Sequence, residues 1–174
     1  DVKNKVITVS YNGVIAPEFS RTAKDMITEE EIPGEDNYVT RSFFPELKIQ
    51  HGDNAIMKWS LEGSYTSYLA TSFDGTVTGM RGNIIIIDDP IKNDKEAVND
   101  AIKEAHWKFL KDTLTSRMLP GVLVIIVLTR WATDDLAGRV LAKWPGKWHE
   151  LKLGALTEDS PEGKGICEDL FPTD

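Results

Sequence analysis

Two carboxylates stand side by side in this chain directly after four isoleucines, in the run Ile84-Ile85-Ile86-Ile87-Asp88-Asp89-Pro90. Adjacent acids repel each other, and a hard divalent cation with oxygen ligands is their natural partner. The isoleucine run reads as a strand buried on both faces, and in open α/β sheets ligands bind beyond the C-terminal ends of such strands. The plain alternative is that Asp88 and Asp89 open a turn before Pro90, where Asp is common. A second apolar run, residues 122–128, ends in Thr129-Arg130. The same sheet edge would then receive a hydroxyl and a guanidinium. In nucleotide hydrolases built on such sheets, an acid after one strand holds Mg²⁺ and a neighbouring carboxylate orients the attacking water. A polar residue on the adjacent strand then reads the terminal phosphate. In that pattern Asp88 is the metal ligand, Asp89 the water-orienting group and Thr129 the phosphate reader. Arg81 and Arg130 are the cations able to neutralise charge on a transferred phosphoryl group; the plain alternatives are that Arg81 braces the loop before the isoleucine strand and that Arg130 pairs with Asp134 or Asp135.

These side chains need a sheet to bring them together, and the hydrophobic pattern predicts one. Residues 6–11 read as a first strand. A helix follows with Pro17 in its first turn and Phe19, Ala23, Met26 and Ile27 at helical spacing. Pro33-Gly34 marks a loop, and residues 55–61 and 65–72 read as a hairpin turned by Glu62-Gly63-Ser64. After the isoleucine strand, Asn93 with Glu96 three residues on has the form of a capping box. A long helix is then predicted to run to Met118 with Val98, Ile102, Ala105, Phe109 and Leu114 on one face. Pro120-Gly121 should break it before the second apolar strand. Thr133 can cap a further helix that Pro145 stops, a last strand is expected over residues 148–153, and residues 155–174 read as a polar linker. The predicted class is therefore α/β, a parallel-rich sheet flanked by helices, with residues 84–87 and 122–128 as neighbouring central strands.

Composition narrows the setting. The chain has 174 residues, enough for one domain with a full core. Its longest apolar run, residues 122–128, is far short of the roughly 20 residues of a membrane span. No leader-like segment opens the chain, and the single Cys167 excludes an internal disulfide framework, so a soluble cytoplasmic protein is expected. A net charge of −8 argues against coating nucleic acid by bulk electrostatics. Acid clusters at residues 29–36 and 158–174, whereas Lys92, Lys95, Lys103, Lys108, Lys111 and Arg117 leave room for a local basic face. His51, His106 and His149 have no metal-ligand spacing with each other or with Cys167. Trp107, Trp131, Trp144 and Trp148 are assigned to packing rather than to stacking on bases.

Residues 78–93, TGMRGNIIIIDDPIKN, resemble the Walker B region of the large terminase subunit of tailed phages, the ATP-driven motor that packs DNA into the capsid. Ser10-Tyr11-Asn12 with Phe19-Ser20-Arg21 is similar to the strand and helix that follow the nucleotide loop in that family. Leu128-Thr129-Arg130-Trp131 with the segment Asp134-Asp135-Leu136-Ala137-Gly138-Arg139 resembles its coupling segment. Trp148-His149-Glu150-Leu151 and the acidic tail resemble the bridge toward its nuclease domain. The resemblance implies an incomplete P-loop NTPase-like fold of the ASCE type, with residues 1–154 as a partial motor domain and 155–174 as the bridge. It implies Mg²⁺ on Asp88, ATP as substrate, and an Mg-dependent ATPase in the intact protein, this fragment alone being inactive. The implied partners are double-stranded DNA, the portal protein, the small terminase subunit and further copies in a homo-oligomeric ring on the procapsid, in the cytoplasm of the bacterial host and without a membrane.

Two features depart from that family. No GxxxxGK[ST] loop occurs anywhere in the sequence, so the chain reads as a piece that starts after it. Asp89 also stands where many motor ATPases carry Glu; Glu96 is an alternative carboxylate, with the capping box as its structural role. Two other classes fit the acidic pair less fully. A receiver-like phosphoacceptor domain carries its acidic pair after the first strand, whereas here it comes halfway along. A non-catalytic α/β module that binds nucleic acid or protein needs no hydrolysis at all.

Overall fold

The computed structural model describes residues 3–28, 43–53, 55–77 and 79–152. β1 (Val6–Ser10) is the middle of a five-stranded sheet of order β2-β3-β1-β4-β5, with β2 at Lys58–Trp59, β3 at Tyr68–Ser72, β4 at Gly82–Asp88 and β5 at Met118–Val127. β1 runs parallel to β3 and β4, β4 runs parallel to β5, and β2 alone is antiparallel, to β3. The sheet is mixed, mostly parallel, and flanked by helices, as the alternation of apolar strands and amphipathic stretches predicts.

Register divides the side chains between two faces. Val6 pairs with Tyr68 and Ile84, and Ile84 with Leu123, so these four share a face; Ile7, Leu69, Ile85 and Val124 share the other. Ile7, Ile85 and Ile87 are completely buried. Leu110, Leu114, Leu136 and Val140, from the helical stretches after β4 and β5, are buried nearly as fully. On the Val6 face, α1 (Ile15–Thr28) covers only β1 and β3, through a cluster of Ala16, Trp59, Leu61, Tyr68 and Ala70 with Val6, Ala23 and Ile27 against it.

Asn12 starts α1 by accepting the N–H groups of Val14 and Ile15 through Oδ1, at 3.0 and 3.2 Å. The inward stripe is Ala16, Ser20, Ala23 and Ile27. Phe19 and Met26, expected inward, each lie one position round the helix from it and are 42% and 55% exposed. Ser20 is buried because its hydroxyl donates to the Ile56 carbonyl and accepts the Trp59 indole N–H at 2.9 Å. Trp59 in turn stacks on Tyr68, ring centres 4.8 Å apart.

Three sequence expectations are corrected. The long helix after Asn93 is two helices, α2 (Asp94–Ala97) and α3 (Asp100–Lys108), followed by a π-helical turn, Phe109–Leu114, and a 3₁₀ turn, Thr115–Arg117. Asn99 interrupts it, its Oδ1 accepting from the N–H groups of Ala101 and Ile102, and Val98 is left 78% exposed at the joint. Secondly, Pro120-Gly121 does not end an element. β5 begins at Met118 and runs through it, with the register slipping from Gly82↔Met118 to Ile84↔Leu123 where Gly121 takes a φ of +76°. This is an irregularity of the bulge kind, and proline is tolerated there because β5 has no neighbour on its outer side among the described residues. Thirdly, β5 is therefore an edge strand, not a central one. Leu123, Ile125 and Val127 are 54%, 38% and 53% exposed, and β4 is fully buried on one face only.

α4 spans Leu136–Lys143. Residues 148–152 are irregular where a strand was expected. The Pro33-Gly34 loop, the two acidic clusters, Cys167 and the predicted linker over 155–174 lie outside the described residues. The chain divides into two compact units, Asp1–Val140 and Leu141–Asp174. No helix of the described residues is long and apolar enough to cross a membrane.

Candidate active site at the C-terminal edge of the sheet

The parallel strands all finish at one edge, and their last residues form a row. Ser72 pairs with Ser10, Ser10 with Asp88, and Asp88 with Val127. Adjacent strands are about 4.8 Å apart, so the row places two serines and a carboxylate within about 10 Å of one another. Asp88 is half-buried; Ser10 and Ser72 are buried, at 3% and 5% exposed. Ser10 Oγ donates to the Asn12 carbonyl, and Ser72 Oγ donates to Asp74 Oδ1 at 2.5 Å. Neither serine is among the site residues expected from the sequence, where Ser10 enters only through the Ser10-Tyr11-Asn12 segment. The signal was there: β1 and β3 both stop on a small hydroxyl.

Asp89 turns away from the strand with a left-handed backbone, φ 41°, while its N–H donates to the Val127 carbonyl at 2.9 Å. That bond ties the acidic pair to the end of β5, and Thr129 follows two residues later, exposed. The Asp89 carboxyl is raised above the ordinary aspartate range, first by partial desolvation and then by the negative charge of Asp88. A divalent cation would relieve that repulsion. One or two carboxylates with hydroxyls nearby is the donor set of an ion shared with phosphates and water, not of a closed protein cage. Among the described residues no group of three or more His, Cys, Asp or Glu side chains is placed to hold a metal.

Arg130, the second expected phosphate ligand, is engaged elsewhere. Its Nε donates to Asp135 Oδ2 at 2.8 Å, and its Nη2 reaches the carbonyls of Ala132 and Thr133. Asp135 is wholly buried, and its other oxygen accepts the Gly138 N–H at 2.9 Å, so it, rather than Thr133, caps α4. Gly138 fits there because a Cβ at that position would lie 1.9 Å from the Thr133 carbonyl oxygen. Beside this lock, Lys103 of α3 holds Asp134 at 2.7 Å and Asp100 at 2.9 Å, and Arg139 holds Glu104 at 2.6 Å. The Asp134 hydrogen bond, followed by that of Asp100, raises the Lys103 ammonium above its usual range, and the Lys103 hydrogen bond lowers the Asp134 carboxyl.

Arg81 is not brought to this edge. It precedes Gly82, the first residue of β4, and so lies at the opposite end of the strand from Asp88, about 20 Å away at strand rise. Glu96 is held at the helix start: its N–H donates to Asn93 Oδ1 at 3.1 Å, and its carboxylate accepts the N–H of Lys92, one residue before the cap, at 2.9 Å, a variant of the expected capping box. His106 is buried against Phe73, ring centres 4.1 Å apart, and burial lowers its pKa against the opposing charge of Glu96. His51 and His149 are exposed.

No protein-family model matches the chain, and no curated protein matches it.

Proposed function

We propose that the chain is part of an Mg²⁺-dependent ATPase motor of the phage large-terminase type, which drives double-stranded DNA into the procapsid. The observation that carries this reading is the row at the C-terminal edge: Asp88 beside Ser10, with Asp89 hydrogen-bonded to the strand that delivers Thr129. In this reading Asp88 holds Mg²⁺, which when bound neutralises phosphate charge; Asp89 orients water, and Thr129 reads the phosphate terminus. The outer edge of β5, which has no neighbour among the described residues, and the apolar side chains beside it are where a further strand, carrying a phosphate-binding loop, would pair. Arg130 braces the Thr129 segment through Asp135 instead of touching phosphate. Arg81, at the far edge, could reach a nucleotide only in a neighbouring copy of a ring. Portal protein, small terminase subunit and the cytoplasm of a bacterial host are the partners and setting this function entails.

The competing reading is a non-catalytic binding module, favoured by the lack of any GxxxxGK[ST] sequence. ATP turnover separates the two. The 174-residue chain alone should hydrolyse ATP negligibly. The same chain extended by the residues encoded upstream should show Mg²⁺-dependent turnover that Asp88→Ala abolishes. Robust turnover by the chain alone, or none in the extended protein, overturns the assignment.

A further inference from the structure

The opposite edge of the sheet holds a cavity of about 300 Å³ lined by Lys5, Tyr65, Thr66, Gly79, Met80, Arg81 and Leu119. Its lining has two cations and no carboxylate, in a chain whose net charge is −8. Arg81 is exposed and pairs with no carboxylate among the described residues. Lys5 donates one of its three ammonium hydrogens to the Tyr65 carbonyl at 2.7 Å and lies 6.0 Å from the centre of the Tyr65 ring. That ring is 78% exposed.

The walls are set in advance. The Lys5 N–H donates to Asn83 Oδ1 at 2.7 Å, and the Lys5 carbonyl accepts from the N–H groups of Asn83 and Ile84 at 3.1 and 3.2 Å. Thr66, 5% exposed, keeps a left-handed φ of 47° and donates its N–H to Ser60 Oγ at 3.0 Å. Arg117 stands one residue before Met118, the register partner of Gly82, and its Nε is buried without a partner among the described residues. A third cation therefore borders the same edge.

We infer that this cavity is an anion site for a phosphoryl group, with Lys5 and Arg81 as its ligands and the Tyr65 ring as a platform for an attached base. A guanidinium and an ammonium residue lining one cavity that has no carboxylate in its lining are the chemistry of phosphate recognition, and an exposed aromatic beside them suits base stacking. The phosphoryl group can belong to a free nucleotide or to a nucleic-acid backbone. The site stands apart from Asp88 and does not depend on the ATPase reading.

The test uses the 174-residue chain with three probes at low salt: inorganic phosphate, AMP and a fluorescein-labelled oligo(dT) ten-mer. Amide and side-chain NMR shifts should move at Lys5, Tyr65 and Arg81 with at least one probe. Movement with AMP assigns the free nucleotide, and movement with the oligonucleotide alone assigns the backbone. Arg81→Gln should weaken that probe about tenfold, the loss of one charge-assisted hydrogen bond. Lys111→Gln, which removes an exposed lysine outside the cavity, should change it less than twofold. Absence of shifts at these residues with all three probes, or equal losses in the two variants, overturns the site. Shift mapping on the unmodified chain keeps the question answerable should Arg81→Gln fail to fold.

Discussion

Asp89 combines two costs at one position. Its backbone is left-handed, which asparagine and aspartate tolerate better than other side chains, and its carboxylate faces both desolvation and the charge of Asp88. A group whose folded pKa is raised binds its proton more tightly in the native state than in the unfolded chain. It favours folding while protonated, and that contribution is lost as pH rises through the folded pKa. Asp89→Asn keeps the backbone preference and removes the charge. Its melting temperature should therefore exceed that of the parent at pH 7, and the gain should disappear below about pH 4, where the parent carboxyl is protonated too. Thermal melts across that range check it, and a gain that persists at pH 3 would contradict the electrostatic cause. At this scale the sequence reading located the acidic pair and the Asn93–Glu96 cap. For Arg130 the sequence offers phosphate and the neighbouring Asp134 or Asp135 equally, because an arginine's partner depends on where a loop returns; the fold selects Asp135.

At the scale of elements, the junction between β5 and α4 is held by one buried carboxylate. Asp135 satisfies the first turn of α4 and the Arg130 guanidinium at once. Loss of an N-cap costs about 1 kcal/mol, and loss of the ion pair adds to it, reduced because Arg130 is 41% exposed. Asp135→Ala should thus lose about 2 kcal/mol in urea unfolding, and Asp135→Asn less than half of that, since the amide oxygen still caps. Equal losses would mean that the charge, not the cap, holds the junction. β1, β4 and β5 were legible as apolar runs and α1 as a periodic stretch with Pro17 in its first turn, whereas the strand expected after Pro145 is irregular over residues 148–152. The split between α2 and α3 was not, because Asn99 is an unremarkable helix residue until its side chain turns back onto the backbone. The edge position of β5 was hidden for a different reason: continuous Val, Leu and Ile read alike in a strand with two neighbours and in one with a single neighbour. Pro120 was the clue, since proline is confined to edges and bulges.

The whole molecule is built around an asymmetry. Among the described residues, one sheet face is closed across β1, β3 and β4, while the other is covered over β1 and β3 and leaves Leu123, Ile125 and Val127 exposed beside a strand edge with no neighbour. Such an edge is a template for association. The chain should scatter light increasingly with concentration, and Leu123→Lys should suppress this with little change in melting temperature, because an exposed position carries little stability. Unchanged scattering would show that the edge is protected. The order of the strands has one more consequence, for the route by which the fold is reached. The first strand of the chain is the middle strand of the sheet, and the hydrogen bond from Lys5 to Asn83 spans 78 residues. β1 gains a neighbour only when β3 or β4 arrives, so closing those loops must precede most of the stabilisation. Refolding should accordingly be limited by the search for β1's slot, and β1 should acquire amide protection in the same kinetic phase as β4 rather than ahead of it.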